Sequence, residues 1–286
     1  MKTINLLPVI LILLASCNTS RYMYSPSAQN VPVLAKKGDN KLSMVYSTDL
    51  SGTPFTTTSN NNNNPYKRSN RGFDINGAVA LTDHFAIQAN YFNRTEKDHQ
   101  YINKPDSTGV IYKRNLTEIG AGYFRQMGRR NRATFQVFGG AGTGVSSFVD
   151  KDNFQNNVIV PRYHRARILK LYAQPAFNFR KSENFAISVS SRLSYISFSN
   201  IKTDYTDAEL NTYHLKYLAS EPQAFWEPAF TNTFGFKKLP GVKFEYQVQL
   251  SLILNVDSYI HYTPFNFSLG LVLDIPKLFK GNATAD

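Results

Sequence analysis

Cys17 is the only cysteine among the 286 residues, and its surroundings indicate what its thiol can do. A basic start, Met1-Lys2-Thr3, precedes an apolar stretch from Leu6 to Leu14, and small residues follow. This order is typical of a secretory signal peptide, and the apolar stretch is too short for a membrane-spanning helix. A single cysteine also excludes an internal disulfide and a cysteine-based metal cluster.

The four residues Leu14-Ala15-Ser16-Cys17 resemble the lipobox of bacterial lipoproteins. The resemblance implies that Cys17 is diacylated on its sulfur, that the chain is cleaved in front of it, and that the new amino group is acylated. Three acyl chains anchor a protein firmly, whereas one binds only marginally. Residues 1–16 are therefore predicted to be a lipoprotein signal peptide and 17–40, which lack periodicity, a lipidated periplasmic tether. The alternative is an ordinary signal peptide with a chance cysteine.

A second set of chemically capable residues consists of charged side chains that alternate with apolar neighbours. These are Asp74, Glu118, Lys170, Arg192, Glu227 and Glu245. In an extended strand such alternation places the charges on the face opposite to the apolar one. Buried charges must be paired and hydrogen-bonded, so a polar network that fills an interior is expected in preference to a conducting channel.

A third set lies in two polar stretches, with Asp204, Asp207 and His214 in one and Asp257 and His261 in the other. A carboxylate that orients a histidine can activate water, as in proteases of the omptin type. However, no Asp-Asp plus Asp-His pairing falls at matching strand ends, so no catalytic residue is assigned. No metal-ligand cluster or glycine-rich phosphate loop is recognisable, and no metal or cofactor is predicted.

The elements that must position these residues are strands, because apolar and polar residues alternate with a period of two in ten segments. In Gly241–Asn255, for example, Val242, Phe244 and Tyr246 alternate with Lys243, Glu245 and Gln247. The connections alternate in length. Short turns are predicted at 82–84, 127–131, 181–184 and 238–241, and long loops at about 48–71, 95–109, 148–163, 199–221 and 256–263.

An even number of strands with alternating short and long connections is what a transmembrane β-barrel requires. The bilayer offers no water to the backbone, so the sheet edges must close on each other. The segment Ser268–Ile275 also resembles the C-terminal assembly signal of outer-membrane barrels, although it carries aliphatic residues instead of aromatic ones and eleven residues follow it.

Across residues 41–275 the chain resembles the outer-membrane β-barrel proteins of Gram-negative bacteria. The resemblance implies an all-β fold, a ten-stranded antiparallel up-and-down transmembrane β-barrel with short periplasmic turns and long extracellular loops. Residues 276–286 are predicted to form a periplasmic tail. With ten strands both ends of the barrel lie on one side, so the anchor on Cys17 is expected on the periplasmic side of the outer membrane.

Composition agrees with this interpretation. Aromatic residues make up 14% of the chain and the net charge is +12, while the mean hydropathy of −0.34 averages a lipid-facing wall with polar loops. Nucleic acid is excluded as a partner, because the chain is secreted and its basic residues lie in hairpin turns. Expected partners are outer-membrane lipids and lipopolysaccharide, the barrel-assembly and lipoprotein-processing machinery, and an extracellular ligand of the loops.

The sequence thus predicts a non-enzymatic outer-membrane lipoprotein with a structural or surface-interaction role. Three alternatives stay open. The first is an enzyme at the barrel rim, either an omptin-like protease or a lipid A-modifying enzyme. The second is a narrow-pore transporter. The third is a soluble periplasmic barrel or sandwich on a lipid tether.

Overall fold

The structure of the chain is a computed structural model that describes residues 21–48, 66–100, 108–128, 132–151, 154–155, 158–236, 238–239, 241–255 and 260–275. Within these ranges, no helix is long and apolar enough to cross a membrane. Cys17, the signal peptide and the C-terminal tail lie outside the described residues.

Ten antiparallel strands form the wall of a closed barrel. In chain order they are β1 Asn40–Thr48, β2 Tyr66–Ala80, β3 Phe85–Gln100, β4 Thr108–Met127, β5 Ala133–Asp150, β6 Arg162–Ser182, β7 Phe185–Thr203, β8 Gln223–Gly235, β9 Val242–Leu250 and β10 Phe265–Leu273. Each strand pairs with the next, and β10 pairs with β1 to close the ring. The predicted ten-stranded up-and-down barrel is confirmed.

The period-two pattern of the sequence corresponds to the two faces of the wall. Along β6, Leu169 and Phe177 face outward with 50% and 57% of their surface exposed. Lys170 and Gln174 face inward and are fully buried. Because successive side chains of a strand point to opposite faces, this alternation determines which residues enter the lumen.

The strands β2 and β3 continue well beyond their predicted ends. Residues in the predicted loops at 48–71 and 95–109 extend the ladder, with Tyr66 paired to Gln100 and Arg71 to Thr95. In these extensions both faces are polar, as in the inward Arg94 and outward Thr95. The amphipathic signal therefore disappears while the backbone hydrogen bonds continue, which is why a sequence pattern ends the strand too early.

The longest described loop, between β7 and β8, contains the helix α1, Asp207–Thr212. Thr206 caps this helix and Glu209 completes a capping box, which satisfies backbone N–H groups at its first turn. Short strands lie in the other long loops, at Phe154–Gln155, Val158–Ile159 and His261–Tyr262. Leu252–Ile253, just after β9, pairs with β8 and so continues the wall.

Residues 21–35, which we call the luminal segment, run inside the barrel. Nearly all of these residues are buried, and Gln29 and Asn30 have no exposed surface. The prediction of a periplasmic tether is therefore wrong for this part of 17–40. An extended segment that is surrounded by a polar wall needs no apolar face, so it shows no periodicity and resembles a linker in sequence.

Candidate functional site: the barrel lumen

Four buried charges form a compact cluster on the inner wall. The Lys170 Nζ lies 2.9 Å from the Glu118 Oε1 and 3.7 Å from the Glu227 Oε2. The Arg192 Nε donates to the Glu227 Oε2 at 2.8 Å, and the Arg192 Nη1 lies 3.7 Å from the Glu118 Oε2. Two cations and two carboxylates alternate, so the cluster is electrically neutral, as charges at low exposure must be.

The luminal segment inserts side chains into this four-charge cluster. The Tyr24 hydroxyl donates to the Glu227 Oε1 at 2.6 Å and accepts from the Lys170 Nζ at 3.2 Å. The Arg192 Nη2 donates to the carbonyl of Ser27 at 2.8 Å. The cluster therefore stabilises both the barrel wall and the segment that crosses it.

The other two predicted charges lie elsewhere in the lumen and have other partners. The Asp74 carboxylate accepts a hydrogen bond from the Ser47 hydroxyl and one from the backbone N–H of Ala28 at 3.0 Å. The Glu245 carboxylate pairs with the Lys41 Nζ at 2.8 Å. Four of the six predicted residues thus share one network, and the remaining two form separate sites.

Further buried charges take part that the sequence did not single out. Arg94 donates to the Ser25 hydroxyl at 2.6 Å and to Asn266 at 2.9 Å, and Arg114 pairs with Glu96. Glu96 lies in the predicted loop 95–109, Arg94 just before it and Arg114 five residues after it, and none of the three was assigned to the inner face. Both faces of the strands carry polar residues there, as in Glu96 beside Lys97 and Arg114 beside Lys113, so alternation of polarity could not have identified them.

The backbone of the luminal segment is held by side chains from strands on different sides of the barrel. Gln29 exchanges two hydrogen bonds with Gln247 of β9, at 2.7 and 2.9 Å. The Asn30 carbonyl accepts from Gln174 at 2.8 Å, and the Pro32 carbonyl accepts from Asn178 at 3.0 Å. An extended chain without strand partners along most of its length leaves its amides unpaired, and here the amide side chains of the wall satisfy them.

An apolar and aromatic layer covers the lumen at the long-loop end. It packs Tyr24 against Phe225, with ring centroids 4.7 Å apart, beneath a set of buried residues from the loops. Arg21 pairs with Asp150 at 2.7 Å and lies over the Tyr213 ring at 4.5 Å. Burial and the hydrogen bond to Asp150 raise the pKa of Tyr205 well above its usual range. The lumen is thus covered at this end by packed rings and a buried ion pair.

The short-turn end of the lumen contains an apolar cluster, and beyond it lies a mouth lined mainly by basic residues. Leu34 packs with Ala80, Ala86, Phe124 and Phe138. Beyond it lies an open cavity of about 790 Å³. Its basic lining residues are Lys36, Lys37, Arg132, Arg180, Lys181 and Lys243.

The outer wall carries an apolar band with a row of cations above it on the long-loop side. Along β6 the band runs from Leu169 to Phe179, both 50% exposed. The cations are exposed and belong to one row of residues that are paired across six neighbouring strands. That row is Arg71, Thr95, Lys113, Ser147, Arg165 and Lys202, which we call the cationic row.

The described candidate rim residues lie in the loops, and Asp204 makes a structural contact there. The Asp204 Oδ2 accepts from the backbone N–H of Tyr163 at 3.0 Å, which holds the loop after β7 against β6. Asp207 lies in the first turn of α1, and His214 follows the helix with a φ of 57°. Asp257, like Cys17, lies outside the described residues. Among the described ones, no group of His, Cys, Asp or Glu could hold a metal ion.

Comparison with known proteins gives distant structural similarity. No family model and no curated protein matches the chain. The chain is similar to the COG4313 outer membrane channel from Pseudomonas putida F1, with a TM-score of 0.37, 9% identity and coverage of 86% of this chain and 99% of that one. It is also similar to outer membrane protein OprG from Pseudomonas aeruginosa, with a TM-score of 0.35, 11% identity and coverage of 85% and 98%. At these TM-scores the similarities assign no function.

Proposed function

We propose that this protein is a barrel of the bacterial outer membrane whose lumen is closed by its own N-terminal segment, and that it acts through its long loops. The proposal includes acylation of Cys17, which makes the protein a lipoprotein, and it includes no catalytic step. The observation that carries it is the luminal segment, which occupies the barrel interior from the long-loop end to the short turns.

The outer wall supports insertion into a bilayer. The apolar residues of β6 between Leu169 and Phe179 span roughly 34 Å along the strand, at about 3.4 Å per residue. With a strand tilt of about 45° this corresponds to a height of about 24 Å, close to the apolar band of about 25 Å that is typical of outer-membrane barrels. A barrel that stayed in water would expose this whole band.

The cationic row supports an orientation with the long loops outside and supports contact with anionic lipid. Its cations lie just beyond the apolar band, at the level where headgroups lie. No described carboxylate forms an ion pair with Arg71, Lys113, Arg165 or Lys202. Each cation near such a surface contributes about 1 kcal/mol to attraction. Lipopolysaccharide, whose lipid A carries phosphate groups, is the outer-leaflet component with matching charge.

The closed lumen is tested by single-channel recording of the purified protein in planar bilayers. The matched variant lacks residues 21–35, and the neutral four-charge cluster is expected to let its wall close without the segment. We expect the full protein to give no conductance steps and the deletion variant to give them. Equal conductance of the two proteins would refute the plugged barrel.

A gated narrow-pore transporter is the second candidate. The luminal segment is held by hydrogen bonds and ion pairs and by no described covalent link inside the barrel, so it could be displaced. The same recording distinguishes the two functions. Rare openings of the full protein would favour the transporter if they disappear when the luminal segment is cross-linked to the wall.

A further inference from the structure

The luminal segment has a definite direction through the barrel. Its first residue, Arg21, pairs with Asp150, which is the last residue of β5 on the long-loop side. Its last residue, Ala35, donates its N–H to Asp39 at 2.7 Å, and Lys37 donates to Asp83 in the short turn between β2 and β3. The chain therefore crosses the whole barrel from the long-loop end before it reverses and enters β1.

The reversal is built into the sequence at the short-turn end. Gly38 has a φ of 86°, in the left-handed region that favours glycine, and its N–H donates to the carbonyl of Ala80 at 3.0 Å. The Asp39 carboxylate accepts from the backbone of Ala35 and of Lys36. This tight turn joins the end of the luminal segment directly to β1.

The long-loop end is held as firmly. Tyr22 and Tyr24 pair in parallel with His261 and Tyr262 of the loop between β9 and β10. Arg114 of β4 donates to the carbonyl of Tyr22. Arg21 is 3% exposed beneath the loop cover. The start of the described chain is thus bonded into the long-loop end of the barrel.

Chain length then limits where Cys17 can lie. Four Cα–Cα steps of 3.8 Å each join it to Arg21, so chain length keeps Cys17 within about 15 Å of Arg21. The hydrocarbon core of a bilayer is about 30 Å thick. Neither a return through the filled lumen nor a path along the lipid-facing wall could bring Cys17 to the short-turn side, and the lipid path would also leave backbone groups unsatisfied.

We infer that the amino-terminal end of the mature chain is threaded through its own barrel, and that the acyl groups on Cys17 insert into the leaflet on the long-loop side. This inference rests on the proposed function, which supplies the acylation and the orientation. It reverses the expected position of the anchor. The expected position followed from the even number of strands, but the luminal segment adds one further crossing of the membrane.

Threading makes the acyl groups part of the barrel's architecture. One end of the luminal segment continues into β1, and the other ends in a bulky anchor that cannot pass through the lumen. The anchor and the long loops then share the cell surface. The partner of the anchor is the outer leaflet itself, where the cationic row also lies.

The test uses three matched serine-to-cysteine variants and a membrane-impermeant maleimide. Acylation blocks the thiol of Cys17, so each variant contains one free thiol. Ser20→Cys reports the amino-terminal end, Ser220→Cys the long loop after α1, and Ser182→Cys the short-turn end of β6. Ser182 and Ser220 are both exposed. Labelling of intact cells is compared with labelling after permeabilisation, and heat-modifiable gel migration verifies that each variant is folded.

We expect Ser20→Cys to be labelled on intact cells like Ser220→Cys, while Ser182→Cys is labelled only after permeabilisation. Labelling of Ser20→Cys that follows Ser182→Cys would overturn the inference. An epitope inserted between Asn18 and Thr19 gives an independent readout. Antibody binding to intact cells supports threading, and binding only after permeabilisation overturns it.

The controls separate failure of the inference from failure of the proposed function. Labelling of the unsubstituted protein would show a free thiol at Cys17 and refute the lipoprotein part of the proposed function. Labelling of Ser182→Cys but not Ser220→Cys on intact cells would show an inverted barrel, which overturns both the orientation and the outer-leaflet anchor. Threading alone is refuted by one result. In that result Ser20→Cys is labelled only after permeabilisation, like Ser182→Cys, while Ser220→Cys is labelled on intact cells as expected.

Discussion

Replacement of Lys170 by methionine tests whether the four-charge cluster stabilises the barrel. Lys170 has no exposed surface. Its Nζ lies 2.9 Å from the Glu118 carboxylate and donates a hydrogen bond to the Tyr24 hydroxyl. Methionine keeps the length and apolar stem of the side chain but leaves two carboxylates facing the single cation of Arg192. Removal of one partner of a buried pair costs about 3–5 kcal/mol, so the free energy of unfolding should fall by that amount.

The double variant Lys170→Met/Glu118→Gln restores neutrality, because Arg192 and Glu227 remain paired at 2.8 Å. Its remaining cost is the loss of hydrogen bonds, about 1 kcal/mol each. We therefore expect the double variant to be more stable than Lys170→Met alone, with a coupling energy of about 2 kcal/mol between the two sites.

Urea unfolding in neutral detergent micelles measures both variants and the single variant Glu118→Gln, which completes the double-mutant cycle. Trp226 is the only tryptophan, and its Nε1 donates to Ser191 on the outer wall, so its fluorescence reports loss of the barrel. Lys202→Met is the matched control, since Lys202 is exposed and such changes stay within about 0.5 kcal/mol. A loss below about 1 kcal/mol for Lys170→Met, or additive losses in the double variant, would refute the reasoning.

Two further predictions concern the wall. Gly140→Ala should destabilise the barrel by about 1–3 kcal/mol, since its Cβ would collide with the backbone oxygen of Ile119. Gly139→Ala, whose Cβ would have its nearest atom at 3.7 Å, should be tolerated. Equal unfolding midpoints of the two variants in urea would contradict this prediction. The double variant Lys113→Gln/Arg165→Gln should lose about 2 kcal/mol, or about thirty-fold, in binding of lipid A in a detergent titration. The control Lys181→Gln, at the short-turn end, should bind like the unsubstituted protein, and an equal loss in this control would argue against the cationic row.

Much of the wall was predictable because a strand in a barrel leaves a local signal. Leu169, Leu171 and Phe177 alternate with Lys170 within a few residues, and the outer and inner environments differ strongly in polarity. The same pattern placed Glu118 and Glu227 on the inner face. It did not extend to Arg94 and its neighbours, since outside the apolar band both faces of a strand can be polar.

The contents of the lumen were not predictable in this way. The contacts of Gln29 with Gln247 join residues 218 positions apart, and those of Tyr24 with Glu227 join residues 203 apart. Nothing in the neighbouring sequence of either partner indicates the other. A polar segment with two prolines has the composition of a linker, and only a closed polar wall around it supplies the hydrogen bonds that order it.

By itself the sequence determined the number of strands, the face on which the side chains of the apolar band lie, and the end of the barrel at which each connection lies. Those features depend on alternation and loop length, which are local properties of the chain. The tertiary structure alone decided that residues 21–35 fill the lumen and which charges meet there. Closure of the barrel creates an interior whose polar groups must be satisfied, and the nearest chain that can satisfy them is the segment that precedes β1.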